Sequence, residues 1–265
     1  MPPRSRLVAL AVFAAALALP ARAAAVTSSN WSGYVAHAPK THYRTVRGAW
    51  TVPAVDCSSR HRAYSAIWVG LGGYHSSSNA LEQIGTEADC RHGIPRYGTW
   101  YELVPDGQVV LPLAVRPGDQ MTARVSVRGR RASVRINDLT RGKSYRKTLA
   151  APAIDTSSAE WIVEAPSQCM GLLGPCRVLP LANFGTATFT SARAVSSTGH
   201  QGVIADRAWR ASPIDLGPGV LTIGDASDDT GGGEAGATAG ALSPSGTSFT
   251  VSYAPAPPPA PAPAP

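Results

Sequence analysis

The sequence predicts an all-β protein, a sandwich of two antiparallel sheets. Short apolar runs recur along the chain, separated by clusters of Gly, Pro, Ser, Asn and Asp that end strands and make turns. No long stretch after the N-terminal segment repeats with the 3.6-residue period of a helix. Met121 to Val127 and Ala132 to Ile136 alternate apolar and polar residues, as strands with one buried face do.

Taken in order, the chain opens with Arg4 and Arg6, an uncharged stretch from Leu7 to Leu19, and Pro20-Ala21-Arg22-Ala23-Ala24-Ala25. A basic start, an apolar middle and small residues at the end make residues 1–25 a secretory signal peptide, cleaved after Ala23 or Ala25. The apolar run is shorter than the roughly 20 residues of a membrane helix. No later stretch is long enough either, so no membrane partner is expected. Strands are expected at Trp31 to Ala36, Arg47 to Val52, Ala66 to Gly70, Ala80 to Gly85, Gly98 to Leu103, Trp161 to Glu164, Ala187 to Phe189 and Ser248 to Tyr253. Met121 to Val127 and Ala132 to Ile136 form a hairpin around Gly129 and Arg130. Residues 225–240, with Gly231-Gly232-Gly233, read as a long flexible loop. Residues 254–265 alternate Ala and Pro, and repeated proline fixes φ and removes donors, which gives an extended, disordered tail. One domain, residues 26–253, remains to fold.

Export sets the chemistry of the cysteines. Cys57, Cys90, Cys169 and Cys176 are an even number in a secreted chain, and none has the close CxxC spacing of a zinc site. Four cysteines allow three pairings. Cys57–Cys90 with Cys169–Cys176 is favoured, because the second pair brackets the turn-rich Gly171-Leu172-Leu173-Gly174-Pro175. The six histidines are scattered and no HExxH occurs, so neither a metal site nor a cofactor is expected. Losing Arg4, Arg6 and Arg22 with the signal lowers the net charge from +7 to +4. Arg124, Arg128, Arg130, Arg131 and Arg135 cluster on the hairpin, mostly on its outer face, and read first as a solvated basic surface. An anionic glycan or nucleic acid ranks behind that reading, since exposed aromatics do not interleave with the arginines. No nucleic-acid partner is expected, and the chain is expected to be a monomer.

Two residues stand out within apolar runs. Gln83 lies in Leu81-Glu82-Gln83-Ile84-Gly85 and Glu164 ends Trp161-Ile162-Val163-Glu164. A buried carboxylate costs several kcal/mol unless paired, hydrogen-bonded or protonated, so two such residues in similar Trp-rich strands point to a shared polar site. They are expected on neighbouring strands of one sheet, near hydrogen-bond reach of each other. No GxSxG elbow supports a serine nucleophile, and the His75-Ser76-Ser77-Ser78 cluster reads as a polar turn. Glu102, in Trp100-Tyr101-Glu102, and the Glu82/Glu87 pair flanking Gln83 are further carboxylates that can act in pairs.

These segments resemble the eqolisins, the secreted glutamic peptidases. Ser29-Asn30-Trp31-Ser32-Gly33-Tyr34 is similar to that family's opening strand, and Gly48-Ala49-Trp50-Thr51-Val52-Pro53 to its next element. Trp68-Val69-Gly70 followed by Gln83-Ile84-Gly85, then Trp100-Tyr101-Glu102 and Trp161-Ile162-Val163-Glu164, resemble the remaining blocks in family order. The resemblance implies a concanavalin A-like or jelly-roll sandwich with a cleft on its concave face. It implies Gln83 and Glu164 as catalytic dyad, with Trp31, Trp68 and Glu102 lining the cleft and polypeptides as substrates. The chain departs from the fungal pattern at Gly72, near which fungal members carry an acid, and at Glu87, where they tend to have Asp.

Two other readings stay open on the residues alone. A glycoside hydrolase of the same architecture could use Glu102 and Glu164, which a retaining mechanism needs about 5–5.5 Å apart. A non-catalytic envelope-binding module would need neither. With only 17 Asp plus Glu, few native carboxylate interactions exist to be lost in acid. Against this, the mature chain becomes very positive in acid, where self-repulsion opposes compactness. An acidic working pH is what the resemblance implies, and activity nearer neutrality stays open.

Overall fold

The computed structural model describes residues 24–59, 62–169, 176–217 and 235–255. The predicted signal peptide before residue 24, most of the predicted 225–240 loop and nearly all of the tail lie outside them. Nineteen strands are present among the described residues. The first seven are β1 (Val26–Ser28), β2 (Trp31–His37), β3 (Tyr43–Thr51), β4 (Arg62–Ala63), β5 (Ala66–Leu71), β6 (Leu81–Arg91) and β7 (Ile94–Val104). There follow β8 (Val109–Val110), β9 (Gln120–Arg128), β10 (Arg131–Asp138), β11 (Lys143–Ala150), β12 (Ser158–Glu164) and β13 (Ser167–Cys169). The last are β14 (Cys176–Val178), β15 (Thr186–Ser196), β16 (Gln201–Val203), β17 (Arg210–Leu216), β18 (Gly236–Ala239) and β19 (Phe249–Ala254). No helix occurs among the described residues.

Pairing runs β7-β6-β5-β12-β2-β17 through one sheet and β19-β15-β3-β9-β10-β11 through the other, with β18 joining β17 to β19. Apart from the parallel β1–β17 pair these ladders are antiparallel. The expected sandwich of two antiparallel sheets is what forms. Alternation puts Tyr34, Ile67, Val69, Ile84, Trp161 and Val163 of the first sheet against Val46, Trp50, Met121, Val125 and Phe189 of the second in one core. Two indoles tie the layers: Trp161 Nε1 donates to the Arg47 carbonyl at 2.8 Å and Trp50 Nε1 to Thr86 Oγ1 at 3.0 Å. Cys57 and Cys90 form a disulfide. Cys176 is also disulfide-bonded, and its register partner in the β13–β14 hairpin is Cys169.

Some strands run longer than expected, and several were not expected at all. Lys143–Ala150 forms β11, whose outer neighbour is solvent; only Tyr145 and Leu149 turn partly inward, so it carries little apolar alternation. β17 contains Pro213, which breaks a strand signal. Pairing with β1 begins only at Ile214, so the proline's missing donor faces an open edge. β18 occupies part of what reads as a flexible loop, and pairs on both sides.

Candidate active site

The first sheet carries a second, smaller apolar cluster on its outer face: Val35, Ala66, Trp68, Leu81, Trp100, Ile162 and Ile214, with Trp31 and Tyr74 packed against it. Because side chains alternate, this face also receives Glu102, Gln83, Glu160 and Glu164. Gln83 lies opposite Glu102 on β7 and Gly70 on β5, and Glu164 lies opposite Ala66 on β5 and Trp31 on β2. Gly70 and Ala66 are four residues apart, an even step, so the two predicted catalytic residues share one face.

They are not on neighbouring strands, as the sequence reading expected. The β5–β6 hairpin places β6 on one edge of β5, and β12 fills the other edge, so β5 separates them. No hydrogen bond joins them directly. The gap is spanned by Trp68. Its Nε1 donates to Glu164 Oε2 at 2.7 Å. The far side of its indole leans over Gly70, where an added Cβ would lie 2.8 Å from Cζ3. On the other side, a Cβ at Gly85 would fall 2.6 Å from the Trp68 Cβ. Gly70 makes room for the ring, which forms a floor between Gln83 and Glu164, and Gly85 makes room for the β5 backbone at Ile67 and the base of the Trp68 side chain.

Each polar group has a dedicated partner. Gln83 Nε2 donates to Glu102 Oε2 at 2.6 Å, so the expected cleft residue Glu102 fixes the amide. Gln83 Oε1 is buried without a protein partner. Asn30 Nδ2 donates to Glu164 Oε1 at 3.0 Å. Asn30 was legible only as part of the opening block; its role here depends on a contact 134 residues away in sequence. Trp31 packs edge-on against Trp68 at 5.1 Å and faces the same carboxylate without closing a hydrogen bond. Burial pushes the Glu164 carboxyl up to about 7, with the Trp68 indole pulling down and the Glu102 charge pushing further up. Burial also raises Glu102, against the hydrogen bond from Gln83.

The other expected carboxylates divide. Parity sends Glu82 to the interior face and Glu87 to the site face, so they cannot act as a pair. Glu87 accepts from Gln108 Nε2 at 3.0 Å. Glu82 and Glu160 are fully buried, and neither carboxyl has a partner in hydrogen-bonding geometry. Burial raises both, Glu82 to about 8 and Glu160 well above the ordinary range, with the Asp155 charge pushing each further up and Glu82 adding to Glu160. Beside them Asp155 accepts from Ser78 Oγ, Ser157 N and Gly73 N. Burial pushes Asp155 up, but these hydrogen bonds outweigh it and hold the acid low. A Cβ at Gly72 would fall 2.6 Å from the Asp155 Cβ, so this acid fills the space beside the glycine that breaks the fungal pattern. His75 and Tyr74 pack edge-on or tilted against His37, and Ser78 is engaged with Asp155, which leaves the His75–Ser78 segment a turn.

The model of the peptidase A4 family matches residues 29–231, which include every site residue named above. The chain belongs to that family. Aspergillopepsin-2 of Aspergillus niger is 27% identical over 249 residues, covering 85% of this chain and 78% of the fungal one. Scytalidopepsin B of Scytalidium lignicola is 25% identical over 180 residues, 66% of each chain. Scytalido-glutamic peptidase, solved with a peptide-based transition-state analogue, superposes with a TM-score of 0.65 at 23% identity, over 85% of this chain and 98% of that one. Aspergilloglutamic peptidase superposes with a TM-score of 0.53 at 26% identity, over 72% and 99%. The eqolisin resemblance read from the sequence therefore stands: the protein is a glutamic-type peptidase. The glycosidase and binding-module readings lapse.

Proposed function

We propose that the protein is an extracellular endopeptidase that cleaves polypeptides on the acid side of neutrality, with Glu164 as general base and Gln83 as oxyanion donor. The observation that carries this reading is the shared face, with Trp68 as floor between the two groups and a separate hydrogen-bond partner holding each. In its ionised form Glu164 takes a proton from a water as that water attacks the scissile carbonyl carbon. One N–H of Gln83 is committed to Glu102; an amide has two, and the second can donate to the oxyanion that forms. The unpartnered Gln83 Oε1 can accept from the same water. Glu164 then returns the proton to the leaving nitrogen, and the C–N bond breaks. Trp31, which is partly exposed, supplies an apolar wall for substrate side chains, while the fully buried Trp68 supports it from beneath. With Glu164 near 7, about a tenth of it is ionised at pH 6. That places useful base in mild acid rather than at very low pH.

The test is hydrolysis of denatured casein by the purified mature protein from acidic to neutral pH, beside Glu164→Gln. Loss of hydrolysis in the variant, with circular dichroism unchanged, is the expected result. Near wild-type proteolysis by Glu164→Gln would remove Glu164 as the base.

A further inference from the structure

The outer face of the second sheet has no role in this chemistry, yet its register is unusual. Arg193 on β15 lies opposite Arg47 on β3, Arg47 opposite Arg124 on β9, Arg124 opposite Arg135 on β10, and Arg135 opposite Arg146 on β11. Five arginines thus form a single row across five adjacent strands. At about 4.8 Å per strand the row is roughly 19 Å long. All five are exposed. Like charges directly opposite one another destabilise a sheet, so the row costs stability unless something neutralises it. Nothing among the described residues does: their ion pairs involve other groups, and no Asp or Glu lines the two grooves, of about 600 and 490 Å³, along the row.

The side chains beside the row are equally specific. Arg124 Nε donates to Ser126 Oγ at 3.0 Å and Arg135 Nε to Asn137 Oδ1 at 2.9 Å. Both bonds use Nε, which orients the guanidinium and leaves its outer N–H groups outward. A hydroxyl row flanks the arginines on one side, with Thr45 to Ser126 at 3.1 Å and Ser133 to Thr148 at 2.8 Å. Thr122 and Asn137, joined at 2.8 Å, flank them on the other. No aromatic ring lines either groove.

We propose that this face binds an acidic polysaccharide, a carboxylate-bearing glycan laid across the strands along the arginine row. A guanidinium fork matches a carboxylate in two hydrogen bonds, and five of them at strand spacing match a chain with regularly repeated charge. The flanking hydroxyl and amide groups suit the hydroxyl-rich body of a sugar polymer. Single-stranded nucleic acid uses aromatic platforms for its bases, and this face has none. The core separates the row from Gln83 and Glu164, so a bound glycan leaves the peptidase cleft open.

The probe is polygalacturonate, titrated calorimetrically into the mature protein at low ionic strength, with neutral dextran and duplex DNA in parallel. Binding of polygalacturonate that weakens steeply with added salt, and no binding of dextran, is expected. Combined replacement of Arg47, Arg124 and Arg135 by Gln should weaken binding at least about tenfold. The same variant should hydrolyse a soluble peptide at the wild-type rate, which also reports that it is folded. Single replacements of the three give the same ordering if the combined variant does not fold. The proposal is overturned by no binding at low salt, by equal binding of the arginine variants, or by DNA binding at least as tightly as polygalacturonate.

Discussion

The two outer faces of this sandwich concentrate opposite charges and handle them oppositely. On the first sheet, acids are drawn out of water: Glu164, Glu102 and Glu160 sit on one face, and burial raises all three. On the second sheet, five arginines line up across strands and stay exposed. A carboxyl can escape the cost of burial by taking a proton, whereas a guanidinium cannot lose one. Acids can therefore be stored inside this fold as neutral groups whose charge depends on pH. Arginines have to remain outside, where only a counter-ion relieves them. The first face is built to respond to protons and the second to anions.

The largest effects are expected where the first face performs chemistry. Gln83→Ala should lower turnover by about 10²–10³-fold through loss of an oxyanion donor, with a smaller change in KM. Gln83→Glu sharpens the point, because it adds a second acid beside Glu102 and raises one of the two. Residual activity should then be confined to lower pH than in the wild type, where the new acid is protonated and can still donate. A variant pH–rate profile that superposes on the wild type would show that Gln83 does not meet the reacting oxygen.

A smaller change is expected at the floor. Trp68→Phe removes the indole hydrogen bond that holds Glu164 down, so the ionisation of Glu164 should move to higher pH. The rising limb of kcat/KM should move with it. If the limb moves by about one pH unit, activity in mild acid should fall about tenfold. A limb that stays in place would mean that another group sets it.

Much of the first face was legible because a polar residue in an apolar run stands out. Gln83 and Glu164 announce themselves in this way, and the alternation of Trp161 to Glu164 tells which neighbours turn inward. What could not be read is what depends on pairing order. That β5 lies between the dyad strands, and that Asn30 reaches Glu164, follow from which edges of β5 are taken. The arginine row is the clearest case. The hairpin arginines were visible as a basic cluster, but Arg47, Arg146 and Arg193 join them only once β15, β3, β9, β10 and β11 lie side by side. Sequence periodicity gives the face a side chain points to, and says little about what stands opposite it.

The buried acids predict how stability follows pH. Glu82 and Glu160 have higher values folded than unfolded, so they bind protons more tightly in the native state. Their contribution is complete below the ordinary carboxyl range near 4.5 and is lost as pH rises toward about 8. Asp155 is held low and acts in the opposite sense, losing its contribution in strong acid. The melting temperature should therefore be highest in mild acid and fall by several degrees toward pH 8. Glu82→Gln and Glu160→Gln should flatten that fall. A melting temperature that rises from pH 5 to pH 8 would contradict the burial of these acids as neutral groups.

The smallest expected effect tests the second face in the same currency. Arg124 stands between Arg47 and Arg135, so its replacement by Gln removes two like-charge contacts at once while keeping part of its aliphatic stem. The hydrogen bond lost with it is an exposed one to Ser126. Cross-strand pairs are worth about 0.2–1 kcal/mol, so Arg124→Gln should raise the melting temperature by a few degrees at most. The gain should shrink as salt is added, because exposed charges are screened within about 10 Å at 0.1 M. Arg177→Gln, an exposed arginine outside the row whose register partner is Gln168, provides the control. Should the two variants melt alike at low salt, the row is not a source of strain. A bound anion would then have no repulsion to relieve, and the second face would be inert solvent-exposed sheet rather than the counterpart of the first.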